Sequence, residues 1–178
     1  MVNLVSMYDL NKVILNKVLE LDAKVYPKRY QGTFDEEYNK YIANIDSYLF
    51  LVDETNLVGY MSFFPIKDTL YEEIKKGTRM FDTDIEGNSL EKWERGSEYK
   101  LFVISIVISP EYQNRGLSKL LRNGFYEFID KKKKDDIHIV SALATAVSDC
   151  GKRFLLDTGF YEIKHLNSGE WLYEATFN

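Results

Sequence analysis

The sequence predicts an α+β protein organised on one mixed sheet, and three observations lead there. An apolar run from Leu101 to Ile108 stops at Pro110, a helical stripe follows, and a second apolar run occupies Ile137 to Leu143. That is a strand–helix–strand unit, the connection that makes two strands parallel. Two hairpin patterns flank the unit, Ser47–Val52 with Leu57–Phe64 and Phe160–Leu166 with Glu170–Phe177. Helical stripes precede the first hairpin. The order of helices, hairpin, strand–helix–strand–helix and hairpin gives a mixed α/β sheet with one parallel pair at its centre.

In chain order, residues 1–7 read as a short strand or a frayed start. Asp9 is a candidate N-cap for a first helix whose stripe is Val13, Ile14, Val18, Leu19 and Leu21, ending before Pro27. Tyr26 to Gly32 is a loop. A second helix runs from Asp35 to Ile45, with Thr33 or Asp35 near its start and Tyr38, Tyr41 and Ile42 facing inward. Asp53 to Asn56 turns the first hairpin, and Pro65 ends its second strand. Thr69 to Lys76 is a short helix. Gly77 to Ser97 is a polar excursion carrying Met80, Phe81, Ile85, Leu90 and Trp93. Glu98 to Ile108 is the central strand. Leu117, Leu120, Leu121, Phe125, Phe128 and Ile129 form the stripe of the following helix, to about Lys133. Val147 to Asp157 is the last helix, with Gly159 as its C-terminal glycine. Asn167-Ser-Gly169 turns the final hairpin.

Composition bounds what this sheet can serve. The chain has 178 residues and is 45% apolar, which suits one domain over residues 1–178 with a substantial core. The net charge of −5 argues against a nucleic-acid binder, and Lys131 to Lys134 read as a solvated helix end. One cysteine, Cys150, rules out an intrachain disulfide. His138 and His165 stand far apart, with no metal-ligand spacing, so no metal is expected. No secretory h-region and no membrane-length apolar stretch is present, so a soluble, cytoplasmic protein without a membrane partner is expected. A homodimer is compatible with this reading.

The turn after the central strand carries the functional signal. Gln113, Asn114, Arg115 and Gly116 precede the freshly exposed first turn of a helix, where unpaired N–H groups and the positive dipole end favour a phosphate. Gly116 lets the backbone approach a ligand, and Ser118 keeps the surface small. An ordinary strand–turn–helix junction is the alternative. Neither a Gly-x-x-x-x-Gly-Lys-Ser/Thr nor a Gly-x-Gly-x-x-Gly stretch is present, which leaves little for a nucleotide-binding domain.

Gln113-Asn-Arg-Gly-Leu-Ser118, prefaced by Ile108-Ser109-Pro110, resembles the acyl-CoA pyrophosphate loop of the GNAT superfamily of N-acetyltransferases: Gln or Arg, two residues, Gly, one residue, then Gly or Ala. Phe154-Leu-Leu-Asp-Thr-Gly-Phe160 resembles that family's helix-to-strand junction, and the best-matched region runs from Leu101 to Ile163. The resemblance implies the GNAT-like acyl-CoA N-acyltransferase fold, a central mixed sheet whose parallel strands splay apart, flanked by helices. It implies acetyl-CoA as cosubstrate and an amine of a small molecule or peptide as acceptor, attacked directly in a ternary complex. The N–H groups of Gln113, Asn114, Arg115, Gly116, Leu117 and Ser118 would cup the pyrophosphate, and the edge of Ile106, Val107 and Ile108 would pair with the pantetheine arm.

The other roles follow the same resemblance. Glu98 is the general-base candidate, with a solvated strand end as the alternative; Tyr99 and Ser105 are weaker candidates for holding a water. Tyr26, Tyr30, Phe63 and Phe64 would line the acceptor pocket or belong to the core. The chain departs from the family where a tyrosine general acid usually stands, which is Leu155 here, and where an asparagine is common, which is Ser148. Cys150, one turn earlier, either faces the CoA thiol or is a small buried hydrophobe. The alternative function is therefore a non-catalytic acyl-CoA sensor or interaction module on the same fold.

Overall fold

The computed structural model describes residues 1–5, 12–78, 85 and 87–177. Their strands are β1 (Val2–Val5), β2 (Tyr48–Asp53), β3 (Asn56–Ile66), β4 (Ser97–Ile108), β5 (Ile137–Ala146), β6 (Tyr161–His165) and β7 (Trp171–Thr176). The helices are α1 (Lys12–Val25), α2 (Phe34–Ala43), α3 (Asp68–Lys76), α4 (Leu117–Lys134) and α5 (Asp149–Asp157). One seven-stranded sheet has the order β1-β2-β3-β4-β5-β7-β6. β4 and β5 are parallel and the other neighbours antiparallel, so the fold is the mixed α/β sheet that the sequence predicts.

The sheet opens at its centre. β4 and β5 pair from Ser97↔Ile137 to Val103↔Ala144 and then stop. β4 continues through Ile104–Ile108, held by β3 alone. The β3–β4 register steps from Ser62↔Ser105 to Phe63↔Val103, leaving Ile104 as an extra residue on β4. Such a bulge bends and twists a strand, which turns the end of β4 away from β5.

Each face of the sheet is covered by helices. On one face α1 buries Leu15, Val18 and Leu21, α2 buries Tyr41, and α3 buries Leu70 and Ile74, in one core with Tyr48, Tyr60, Phe64 and Phe102. On the other, α4 and α5 bury Leu121, Phe125 and Leu155 against Phe63, Leu101 and Val103. Each such side chain contributes roughly 1.5–3 kcal/mol. Asp9, Met80 and Phe81 lie outside the described residues.

Several expectations shift in register. On α1 Leu15 is core and Val13 is 55% exposed. α2 starts at Phe34, because Thr33 closes a capping box with Glu36. Its inward face is Glu37, Lys40 and Tyr41, while Tyr38 and Ile42 are exposed; the Lys40–Glu37 pair at 2.9 Å lets two charges take an inward position. Leu120 likewise turns outward on α4. Pro65 does not end β3 but pairs with Leu101 inside it. The β2 pairing has stopped at Ser62, and the segment that follows β3 on that side uses the proline's carbonyl, Glu91 N–H donating to Pro65 C=O at 2.9 Å, so the missing N–H costs the sheet no bond there. Lys132 is not solvated: it is buried, with Nζ 2.5 Å from Asp46 and 4.2 Å from the Trp93 ring.

Candidate functional site

The phosphate-loop candidate closes the open end of β4. Ser109 N–H donates to Val58 C=O at 2.8 Å, a one-turn 3₁₀ segment covers Pro110–Tyr112, and Gln113 Nε2 reaches back to Ile108 C=O at 3.0 Å. Asn114 (φ 61°) and Gly116 (φ 75°) are both left-handed, which reverses the chain into α4. A Cβ on Gly116 would meet nothing within 4 Å. Conformation, not crowding, favours glycine there, and the space above the helix start stays open. Leu117 anchors the first turn in the core, while Ser118 is exposed. Arg115 rests on the Tyr112 ring at 4.8 Å, and Tyr112 donates to Asp53 at 3.0 Å. The cation is thus parked beside the α4 dipole, in reach of an anion bound there.

The splayed edge is the second component. Alternation along a strand turns Val107 toward β3, and its carbonyl lies 2.8 Å from where a Gly59 Cβ would be. Val107 therefore does not offer its backbone to the gap, whereas Ile106 and Ile108 do. The Ile106 peptide groups are held by a side chain: Tyr26 hydroxyl donates to Ile106 C=O at 3.3 Å and accepts from Ile106 N–H at 3.4 Å. Tyr26 N–H bonds Asp22 C=O at 2.8 Å, which continues the last turn of α1 and sets Asp22 and Tyr26 on one face. Asp22 is buried and accepts from Tyr60 at 2.6 Å. Burial first, then the charge of Asp22, pushes the Tyr60 hydroxyl well above its ordinary value.

The same loop reaches across the gap. Tyr30 hydroxyl donates to Glu170 at the start of β7. Burial raises the Glu170 carboxyl, but hydrogen bonds from Ser168 and Tyr30, its own backbone N–H and the charge of Arg29 outweigh it and hold the group below the usual carboxylate range. Tyr26 and Tyr30 thus tie one loop to β4 on one side and to the last hairpin on the other.

Other expectations separate. Glu98 is exposed, opposite His138 in the paired half of the sheet. It precedes Ile106 by eight positions, about 26 Å of strand, which removes it from any centre at the splay. Tyr99 is spent on a loop, with its hydroxyl bonded to Lys92 C=O and Glu94 N–H. Phe63 and Phe64 face opposite sides of the sheet, Phe63 packed 4.7 Å from Phe128 and Phe64 5.4 Å from Tyr48, so they line no common pocket. Leu155 is 1% exposed in the core beneath α5, and Ser148 is the α5 N-cap, its hydroxyl accepting from Gly151 at 3.1 Å. Gly159 (φ 77°) ends the helix, as expected of the second motif. Cys150 is exposed, not a buried hydrophobe. Asp22, Tyr60 and Glu170 are not apparent in the sequence as site residues. For Asp22 the available signal is its spacing of four from Tyr26; for Glu170 there is none beyond a carboxylate following a turn.

Among the described residues no three His, Cys, Asp or Glu side chains converge as metal ligands, and no helix is long and apolar enough to cross a membrane. No curated protein matches the chain. Solved structures do match it along nearly its whole length. The loading GNATL domain of CurA from Lyngbya majuscula is 16% identical with a TM-score of 0.71, covering 99% of this chain and 98% of its own. GphF, a GNAT-like decarboxylase in complex with isobutyryl-CoA, is 10% identical with a TM-score of 0.72 and the same coverages. PaiA N-acetyltransferase from Thermoplasma acidophilum, in complex with coenzyme A, is 12% identical with a TM-score of 0.62, covering 99% of each chain. At such identities the likeness concerns the fold. The sequence model of the acetyltransferase (GNAT) family matches residues 15–151, which take in most of α1, the splayed strands and the loop between them, and the chain belongs to that family.

Proposed function

We propose that the protein is an acetyl-CoA-dependent N-acyltransferase acting on a primary amine of a small molecule or peptide. The observation that carries this is the open left-handed turn Asn114–Gly116, at the start of α4, set beside the unpaired edge of β4. The residues fit the cosubstrate. The N–H groups from Gln113 to Ser118 and the Arg115 guanidinium suit a pyrophosphate, and the Ile106 and Ile108 peptides suit an extended amide arm. The structures of PaiA and GphF, on the same fold, were obtained with coenzyme A and isobutyryl-CoA.

The chemistry follows from the groups at the edge. An alkyl ammonium must lose a proton to attack, since its pKa lies near ~10. Attack joins nitrogen to the thioester carbon, and collapse breaks the carbon–sulfur bond with the electron pair going to sulfur. The Ile106 N–H, once released by Tyr26, is placed to stabilise the oxyanion. Of the two protons the ammonium gives up, one leaves to solvent. The other ends on the CoA sulfur by way of the Tyr26 hydroxyl, which takes the role that Leu155 cannot.

Leu155 also favours a second reading, acyl-CoA binding without transfer, because its position is packed core with no hydroxyl. Thiol release from acetyl-CoA across a panel of primary amines, run beside calorimetric titration of acetyl-CoA, separates the two. Amine-dependent release supports transfer; binding with no release on any amine supports the sensor; no binding of acetyl-CoA rejects both.

A further inference from the structure

We propose that Glu170 anchors a second positive charge on the acceptor, so that the preferred substrate is a primary amine carrying another cationic centre about 10 Å away. The inference rests on the amine-transfer reading above. Glu170 is 3% exposed, and although Tyr30 donates to Oε1 and Ser168 also bonds the carboxylate, Oε2 is buried with no hydrogen-bond partner. A buried carboxylate oxygen is ordinarily satisfied, and one kept ionised is complementary to a cation. Arg29, the neighbouring positive charge, lies on the Tyr30 ring at 4.7 Å and leaves Oε2 without a donor.

Position supports the assignment. Tyr26 and Tyr30 belong to one loop, yet Tyr26 marks the β4 edge and Tyr30 marks the start of β7. Only β5 stands between those strands, so the two marks are about two strand spacings apart, roughly 10 Å before the splay widens. Tyr30 reaches Glu170 from a 3₁₀ turn, Lys28–Tyr30, that carries no buried side chain of its own. A reacting amine at Ile106 and a distal ammonium at Glu170 would lie beneath that turn, with the Tyr30 ring alongside.

Calorimetry on the full chain in the presence of CoA, comparing hexylamine with hexamethylenediamine, tests the anchor. The wild type should bind the diamine about tenfold or more tightly, and Glu170→Gln should reduce that preference to about twofold or less without changing CoA affinity. Equal binding of the two amines by the wild type, or a preference that survives in Glu170→Gln, overturns the proposal. If Glu170→Gln does not fold, Glu170→Asp decides, because it keeps the charge and withdraws it by one methylene. A preference reduced about threefold or more supports the anchor, and an unchanged one overturns it. CoA titrated alone reads the underlying function separately: a wild type that fails to bind CoA rejects acyl transfer, whereas intact CoA binding without diamine preference rejects the Glu170 anchor alone.

Discussion

The two halves of β4 are made of similar apolar residues and differ in what satisfies their backbone. From Ser97 to Val103 the strand lies between β3 and β5, and its peptide groups bond to other strands. From Ile104 to Ile108 the inner edge has lost β5, and side chains take over: Tyr26 on Ile106 and Gln113 on Ile108. A strand bond is held by the whole sheet, whereas a hydroxyl can rotate away. One hydrogen bond contributes about 1 kcal/mol net, so a ligand that pairs with Ile106 needs little to displace Tyr26. The first half is built for stability and the second for exchange.

The contrast can be broken from either side. The largest effect is expected on the stability side. Leu155→Ala should lower unfolding free energy by about 2–5 kcal/mol in chemical denaturation, since the site is closed core. Leu155→Tyr should also destabilise, by about 1–3 kcal/mol, and should not raise turnover. A gain in thiol release from that variant would show that α5, not Tyr26, is where the proton donor belongs.

Gly116→Glu should act mainly on exchange, with a smaller cost to stability. A carboxylate in the pyrophosphate site should weaken CoA binding by about 100-fold in calorimetry, close to 2.7 kcal/mol. The left-handed backbone adds about 1–2 kcal/mol of strain, a fall of a few degrees in melting temperature. Unchanged CoA affinity would refute the placement of the loop.

Tyr26→Phe sharpens the comparison further. It removes the hydroxyl on the Ile106 peptide but keeps the ring, so acetyl-CoA affinity should hold or rise slightly. Turnover should drop about 100-fold, and its pH profile should lose the limb that belongs to the acid. An unaltered kcat would make Tyr26 a mere plug. The smallest effect concerns acid stability far from the edge. Burial raises the Glu174 carboxyl, but hydrogen bonds from Lys75, Tyr71 and Tyr161 prevail and lower it below 4.5. Its contribution should be complete above pH 4.5 and fade as pH falls through the lower folded value. Glu174→Gln should flatten that part of a melting-temperature profile against pH.

Legibility in the sequence followed the same division. The parallel pair, both hairpins and the turn into α4 were readable because periodicity, Pro110, Gly116 and Gly159 are local signals. The inward face of α2 was not, because Glu37 and Lys40 become buryable only by pairing with each other. Glu98 looked suitable as a strand-start carboxylate, yet distance along β4 depends on where pairing with β5 stops, and that depends on a one-residue bulge at Ile104. Asp22 and Glu170 were hidden for a related reason. Each owes its position to a tyrosine distant in sequence, Tyr60 for one and Tyr30 for the other.

A titration of acetyl-CoA followed by backbone amide NMR tests the central claim most directly. Shifts should concentrate on Gln113–Ser118 and on Ile104, Ile106 and Ile108, with Ile106 moving as Tyr26 releases it, and the paired half from Ser97 to Val103 should stay nearly still. Shifts centred instead on the roughly 280 Å³ cleft between β2 and α4, lined by Leu49, Gly124 and Phe128, or an undisturbed Ile106 in the saturated protein, would contradict it.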